Sequence, residues 1–231
     1  MSISQNINKV RELITQTESS SNRQPNSVLL LAVSKEQSPE LIREAFQQGI
    51  RHFGENYFQE AQEKILALRD LPICWHFIGP IQSNKTKGIA KYFNWVHSID
   101  RNKTAKLLNQ FRFEQLPPLN VCLQINLTGE TTKSGIPPEH AIDLALEVKQ
   151  LPNLQLRGLM TIPPQQNNMQ TQYNLFLKLN QLKESINKAL HLKMDTLSMG
   201  MSDDLVPAIK AGSTIVRIGR AIFGERKGKL L

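Results

Sequence analysis

The chain has 231 residues, of which 40% are hydrophobic and 21% charged, and its formal net charge is +8. This balance, without any biased tract, excludes wholesale disorder and fibrous repeats, and it predicts one soluble domain over residues 1–231. The longest apolar run, 28–33, is too short to span a bilayer, and charges near the N-terminus are unlike a cleavable signal. We therefore expect a cytoplasmic protein that does not enter membranes.

An amphipathic helix is predicted over residues 1–20, where Ile7, Val10 and Ile14 recur at helical spacing. Beyond it, short runs of β-branched and aromatic residues alternate with longer segments of helical period. The predicted strands begin near Val28, Arg51, Cys74, Trp95, Leu119, Gln155, Asp195 and Thr214, at intervals of 19 to 40 residues. Each interval is long enough for a crossover helix that connects two parallel strands. The eight units therefore predict an α/β fold: a single (β/α)8 (TIM) barrel of parallel strands with an extra N-terminal helix.

Residues typical of helix ends support the crossover helices. Ser38 suits the N-cap of the first, and Gly49 suits its C-terminal end. Ser202 is predicted to cap the helix between strands seven and eight, with the acidic pair 203–204 in its first turn. The basic residues are scattered apart from a predicted solvated tail at 225–231, so the sequence gives nucleic-acid binding little support.

Lys35 is the first candidate functional residue. In TIM barrels the loops that follow the strands converge at the carboxyl end of the sheet and form the site. Lys35 follows the first predicted strand, so we expect its amine to face this mouth. A lysine on a rigid strand near other cations has a lowered pKa and can attack an aldehyde to form a Schiff base. A solvated surface lysine is the alternative that position alone leaves open.

The turns after strands seven and eight are predicted to bind an anion. Segment 200–204 offers the Ser202 hydroxyl and backbone amides, and segment 217–221 leads into a short helix. TIM barrels often bind phosphate here, although Ser202 could merely cap its helix and Gly219 merely turn the chain. An amine on one side of the mouth and a phosphate site on the other suit pyridoxal 5′-phosphate (PLP), an aldehyde that carries a phosphate.

Seven segments of the sequence, taken in order, recur in one known family: 32–35, 53–57, 75–85, 133–136, 157–160, 199–204 and 212–219. Through them the chain resembles the pyridoxal phosphate homeostasis protein family over essentially its whole length. The resemblance implies a fold-type III PLP-binding barrel like the N-terminal domain of alanine racemase. It also implies a role in intracellular vitamin B6 homeostasis, with PLP-dependent apo-enzymes as recipients of the cofactor, rather than an established enzymatic reaction.

The resemblance also implies which residues bind the cofactor. They are Lys35, which holds the internal aldimine, Asn56 near the ring, Arg217 at the pyridine nitrogen, and Ser202 with the backbone amides of Gly219 and Arg220 at the phosphate. Relatives usually carry Ser or Thr at position 220, so the role of the Arg220 side chain is left open.

The identity of residue 217 affects the chemistry that a bound cofactor can support. A guanidinium is a permanently charged donor and disfavours protonation of the ring nitrogen, which weakens the electron sink that carbanion chemistry needs. The chain also ends soon after the eighth unit, without the second domain of alanine racemases. The sequence therefore favours a monomeric PLP carrier. A PLP-dependent racemase of small amino acids is the alternative, and an interaction protein whose basic surface binds nucleic acid is a third.

Histidines and cysteines are predicted to have structural roles. His76 is predicted to be a hydrogen-bonded core residue rather than a pocket residue. His52 and His97 show no ligand spacing with it, so no metal site is predicted. Cys74 and Cys122 fall in predicted strands and are expected to be buried thiols.

Overall fold

The structure is a computed structural model that describes residues 2–130, 134–166 and 168–224, so the predicted basic tail at 225–231 lies outside the described residues. The described chain forms a closed barrel of eight strands that pair in sequence order, and the last strand pairs with the first. Every pairing is parallel. The strands are β1 (Leu29–Val33), β2 (His52–Glu55), β3 (Cys74–Phe77), β4 (Trp95–Ile99), β5 (Leu119–Gln124), β6 (Leu154–Met160), β7 (Thr196–Ser198) and β8 (Ile215–Ile218).

A helix follows every strand, and one helix precedes the first. The α-helices are α1 (Ile3–Ser20), α2 (Pro39–Gln47), α3 (Phe58–Ala67), α4 (Thr86–Tyr92), α5 (Asn102–Phe111), α6 (Ala141–Lys149), α7 (Met169–Leu190), α8 (Leu205–Lys210) and α9 (Arg220–Phe223). Short 3₁₀ helices at Ser83–Lys85 and Pro138–His140 precede α4 and α6. The predicted TIM barrel is confirmed, and each predicted strand start lies within one residue of the observed start. Within the described ranges, no helix has the length and apolarity needed to cross a membrane.

Both faces of the strands are covered, which explains their nearly continuous apolar runs. On β1, Ala32 belongs to the main hydrophobic core, whereas its neighbour Leu31 packs with Ile78 and Ile215 in a small separate cluster. Successive side chains of a strand point to opposite faces of the sheet, so the main core fills the space between sheet and helices and the small cluster fills part of the barrel interior. The rest of the interior holds polar side chains, described below.

The N-terminal helix α1 packs against the helices that follow β7 and β8. Its buried apolar face includes Ile3, Ile7, Val10 and Ile14. The Asn6 amide donates a hydrogen bond of 2.9 Å to the carbonyl oxygen of Ile222, the residue of α9 that lies in the core. Helix α1 therefore packs on the outside of the barrel near its carboxyl end, next to the segment that follows β8.

The prediction that Ser202 caps a helix is wrong. Helix α8 begins at Leu205 and its N-cap residue is Asp204, whose carboxylate accepts a hydrogen bond of 2.6 Å from the Met201 amide. That bond closes a turn and keeps segment 202–204 out of the helix. By contrast, Ser38 stands at the N-cap of α2 as predicted.

Candidate functional site

A cavity of about 170 Å³ lies at the carboxyl end of the barrel. Several clefts between the outer helices are larger, but this cavity lies where the strand ends converge, which is where TIM barrels carry their sites. It is lined by Val33, Lys35, Asn56, Ile78, Ile162, Met201, Ser202, Asp203, Arg217, Gly219 and Arg220. The structure therefore brings together all of the cofactor residues expected from the sequence.

Lys35 follows directly on β1 and is half-buried at the rim of the cavity. The residue before it, Ser34, is tied down from two sides. Its hydroxyl donates a hydrogen bond of 2.6 Å to Glu55 Oε1, and its carbonyl oxygen accepts one of 2.7 Å from Lys64 Nζ. Burial raises the pKa of Glu55 above its usual range, while Lys64 and the Ser34 hydroxyl oppose that shift. This buried network holds the backbone from which the Lys35 side chain extends.

Asn56 follows β2 and offers a buried acceptor. Its Oδ1 has no hydrogen-bond partner in the part of the chain that the structure describes. Buried polar atoms are normally paired, because burial without a partner costs free energy. An unpaired amide oxygen on a residue that lines a cavity is therefore a group that a bound ligand can satisfy with a donor.

Arg217 enters the cavity from β8 and is almost fully buried. Its guanidinium donates hydrogen bonds of 2.8 Å to Ser198 Oγ and 2.9 Å to the Thr161 carbonyl oxygen. Burial lowers the pKa of Arg217 to about 10, and Asp204 opposes the shift. The side chain therefore remains a cation at neutral pH, and its orientation is set by groups next to β6 and β7.

The third side of the cavity is formed by the turns after β7 and β8. Gly219 is the N-cap residue of α9, so the positive end of a short helix borders the cavity next to Ser202. The Arg220 side chain is exposed and forms an ion pair of 2.8 Å with the Asp203 carboxylate. The charge at position 220 is thus already matched by a carboxylate on the other turn.

The histidines form a cluster that sequence spacing did not reveal. His76 is a buried core residue outside the cavity, as expected. His52 and His97, which show no ligand spacing with His76 in the sequence, both lie beside it in the structure. His52 Nδ1 lies 2.9 Å from His76 Nε2, and His76 Nδ1 lies 2.9 Å from His97 Nε2. The three histidines lie on the neighbouring strands β2, β3 and β4. Their side chains face the barrel interior, where they meet. Cys122 is buried as expected, but Cys74 is only half-buried.

Sequence reasoning missed the groups that position Arg217. Ser198 and Thr161 accept its hydrogen bonds, and Ser198 Oγ also lies 2.7 Å from His97 Nδ1. A signal for Ser198 was present. It alternates with Thr196 on a three-residue strand whose middle residue, Leu197, is apolar, so Ser198 faces the barrel interior.

Comparison with known proteins identifies the family. Residues 2–227 match the family described as "Alanine racemase, N-terminal domain". A pyridoxal phosphate homeostasis protein from Pseudomonas aeruginosa is 54% identical over 224 residues, which cover 97% of this chain and 96% of that protein. The structure of PipY from Synechococcus elongatus with PLP bound is 36% identical with a TM-score of 0.80, and the match covers 91% of this chain and 100% of that chain.

An alanine racemase from Corynebacterium glutamicum has a TM-score of 0.70 at 15% identity, and the match covers 96% of this chain and 60% of that chain. At this identity the likeness concerns the fold alone. The full-length relatives with high identity are instead homeostasis proteins, in agreement with the sequence motifs. The chain therefore belongs to the family of pyridoxal phosphate homeostasis proteins.

Proposed function

We propose that this chain binds PLP in the cavity at the carboxyl end of the barrel and serves PLP homeostasis. One observation carries the proposal. Lys35 lines one side of the cavity, and the Ser202 and Gly219 turns line another side of the same cavity. An amine and an anion site so placed match the aldehyde and the phosphate of one small molecule. The relatives support the same conclusion, since they are PLP homeostasis proteins and PipY was solved with PLP bound.

Lys35 is assigned the covalent contact. Lys35 would hold the cofactor through Nζ, which would replace the aldehyde oxygen, and that oxygen would leave as water. The buried Ser34 network described above limits the motion of the backbone at the base of this side chain. Asn56 Oδ1, which lacks a partner among the described residues, would accept a hydrogen bond from a donor of the bound cofactor.

The phosphate is assigned to the turns after β7 and β8. The Ser202 hydroxyl and the backbone amides of Gly219 and Arg220 are donors, and the positive end of α9 adds to them. Because the Arg220 side chain is paired with Asp203, we assign its backbone amide rather than its guanidinium to the phosphate.

Arg217 is assigned to the pyridine nitrogen, and this assignment favours a carrier over a racemase. When bound, PLP supplies an electron-withdrawing ring for chemistry at an amino acid. Arg217 is a donor-only cation that Ser198 and Thr161 hold in place, so it favours an unprotonated ring nitrogen and a weaker electron sink.

In the finer form of the proposal, a cytoplasmic monomer holds PLP and passes it to PLP-dependent apo-enzymes. All six residues assigned to the cofactor line one cavity of this chain. Lys35 and Ser202 are half-buried and Met201 is exposed, so incoming amines can reach the attachment point from solvent.

The test compares Lys35→Ala with Lys85→Ala after loading with PLP and dialysis. Lys85 is a half-buried lysine that follows β3 and does not line the cavity, which makes it a matched control. We expect the wild-type chain and Lys85→Ala to retain the visible absorption of one covalently bound cofactor per chain, and Lys35→Ala to lose it. Borohydride reduction and peptide mapping should locate the label at Lys35. An unchanged band in Lys35→Ala would contradict the assignment.

A further inference from the structure

The amino-terminal end of the barrel carries a cluster of metal-ligand atoms, at the opposite end of the strands from the PLP cavity. His52 and Cys74 are the first residues of β2 and β3, and His76 lies two residues further along β3. Cys74 Sγ lies 3.5 Å from His76 Nε2, which in turn lies 2.9 Å from His52 Nδ1. All three ligand atoms lie within 4.8 Å of one another.

The strand ladder accounts for this convergence. His52 is the register partner of Cys74 in the parallel pairing of β2 and β3. Cys74 and His76 are two residues apart on one strand, so their side chains share a face. The three ligands therefore stand on adjacent positions of a rigid sheet rather than on a loop, and their relative placement does not depend on the ion.

We propose that His52 Nδ1, Cys74 Sγ and His76 Nε2 bind one Zn²⁺ ion, with water in the fourth position. Tetrahedral zinc, with bonds of about 2.0–2.1 Å to nitrogen and 2.3 Å to sulfur, separates N and S ligands by roughly 3.5 Å and two N ligands by roughly 3.3 Å. The Cys74–His76 separation of 3.5 Å already meets this requirement. The His52–His76 separation of 2.9 Å needs to open only slightly.

Zinc binds cysteine as the thiolate and histidine as the neutral imidazole. Binding forms the Zn–S bond, breaks the S–H bond and releases one proton to solvent, while the imidazoles keep one proton each.

The surrounding hydrogen bonds orient the ligands. With the ion on His76 Nε2, the Nδ1–H of His76 donates to His97 Nε2, and His97 Nδ1–H donates to Ser198 Oγ, over 2.9 and 2.7 Å. Ser198 Oγ also accepts from Arg217, and its lone pairs can accept both bonds. Outer partners that fix the tautomer of a histidine ligand in this way are typical of protein metal sites.

An ion can enter from the outside of the barrel. His52 and Cys74 are both half-buried rather than sealed in the core. His52 also lines a cavity of about 410 Å³, which Glu18 of α1 borders as well. The ligand set can therefore be reached from the side of His52 and Cys74, although His76 itself is buried.

The experiment uses the untagged full-length chain prepared without PLP, so its outcome is independent of the proposed function. Co²⁺ is added as a spectroscopic probe, and Zn²⁺ is then titrated in competition with a chelator. We expect one equivalent of Co²⁺ to produce a thiolate-to-cobalt charge-transfer band with tetrahedral visible bands, and one equivalent of Zn²⁺ to abolish them. Proton release in weak buffer should approach one per zinc.

Two pairs of variants locate the site. Cys74→Ala and His52→Gln remove ligands, whereas Cys122→Ala and His140→Gln remove a cysteine and an exposed histidine outside the cluster. We expect the ligand variants to lower zinc affinity more than about 100-fold, since loss of an outer-shell partner alone costs about 10- to 100-fold. The controls should bind as the wild type does. A wild-type cobalt complex without a thiolate band, or equal zinc affinity in Cys74→Ala and Cys122→Ala, would overturn the proposal.

Discussion

Gly79 allows the chain that follows β3 to approach the candidate site closely. A Cβ atom at this position would overlap the carbonyl oxygen of Asn56 and come within 2.7 Å of Asn56 Cα. These are backbone atoms, so the clash cannot be relieved by rotating a side chain. The spacing between β2 and β3 at the mouth of the barrel therefore depends on a residue without a side chain.

We expect Gly79→Ala to lower the free energy of unfolding by about 2 kcal/mol or more, because overpacking typically costs about 1–3 kcal/mol. Gly219→Ala is the control, since its Cβ would lie 3.3 Å from the Val33 carbonyl oxygen and needs only a small adjustment. Urea denaturation measures both variants. Equal stability of the two variants would show that position 79 does not pack tightly against the backbone of Asn56.

At the residue scale, candidate binding positions could be predicted but their partners could not. Lys35 and Arg217 were found because strand ends in a TIM barrel mark the site. The bond from Arg217 to the Thr161 carbonyl joins residues 56 positions apart and has no sequence signature. The roles of the individual residues toward PLP stay predictions until the Lys35 experiment is done.

Helix α1 is an additional element that buries an apolar face against α8 and α9. Ile7 is fully buried on this helix, whereas Leu13 is 41% exposed on the same helix. The two residues differ little in size and chemistry. Comparing their alanine variants therefore separates the effect of burial from the effect of the substitution itself.

We expect Ile7→Ala to lower the free energy of unfolding by about 2–5 kcal/mol, from lost burial and the cavity left behind. Leu13→Ala should change it by less than about 1 kcal/mol, as exposed positions usually do. Chemical denaturation followed by circular dichroism measures both. Similar losses for the two variants would mean that α1 does not pack as described.

At the element scale, the start of α8 illustrates the limit of local signals. The Ser202, Asp203 and Asp204 run satisfies the residue preferences of a helix start. The observed start is later because the Asp204 carboxylate accepts a hydrogen bond from the Met201 amide, and the Gln172 side chain of α7 also donates to Asp204. That second contact depends on tertiary packing.

For the whole molecule, the buried histidines predict how stability depends on pH. Burial lowers the pKa of His76, and burial together with Arg217 lowers the pKa of His97 to about 3. The unfolded chain therefore binds more protons than the folded chain below the ordinary histidine pKa of about 6.5. The stability from these neutral histidines is complete above that pH and is lost as the pH falls.

Lowering the pH from 7 to 5.5 should reduce the free energy of unfolding by roughly 1.3 kcal/mol through His97, whose folded pKa is about 3, and should reduce it further through His76. Urea denaturation with a chelator present measures the effect without bound metal. A stability that is unchanged across this range would contradict neutral, buried histidines in the folded chain.

The sequence by itself determined the strand and helix order, the barrel and the family, because periodicity and helix-end preferences are local properties and the motifs are contiguous. The tertiary structure alone decided that His52, Cys74 and His76 converge, that Arg220 pairs with Asp203, and that His97 meets Ser198. The last two residues are 101 positions apart in the chain. Such contacts arise from strand register and closure of the barrel, which act between side chains that no local pattern connects.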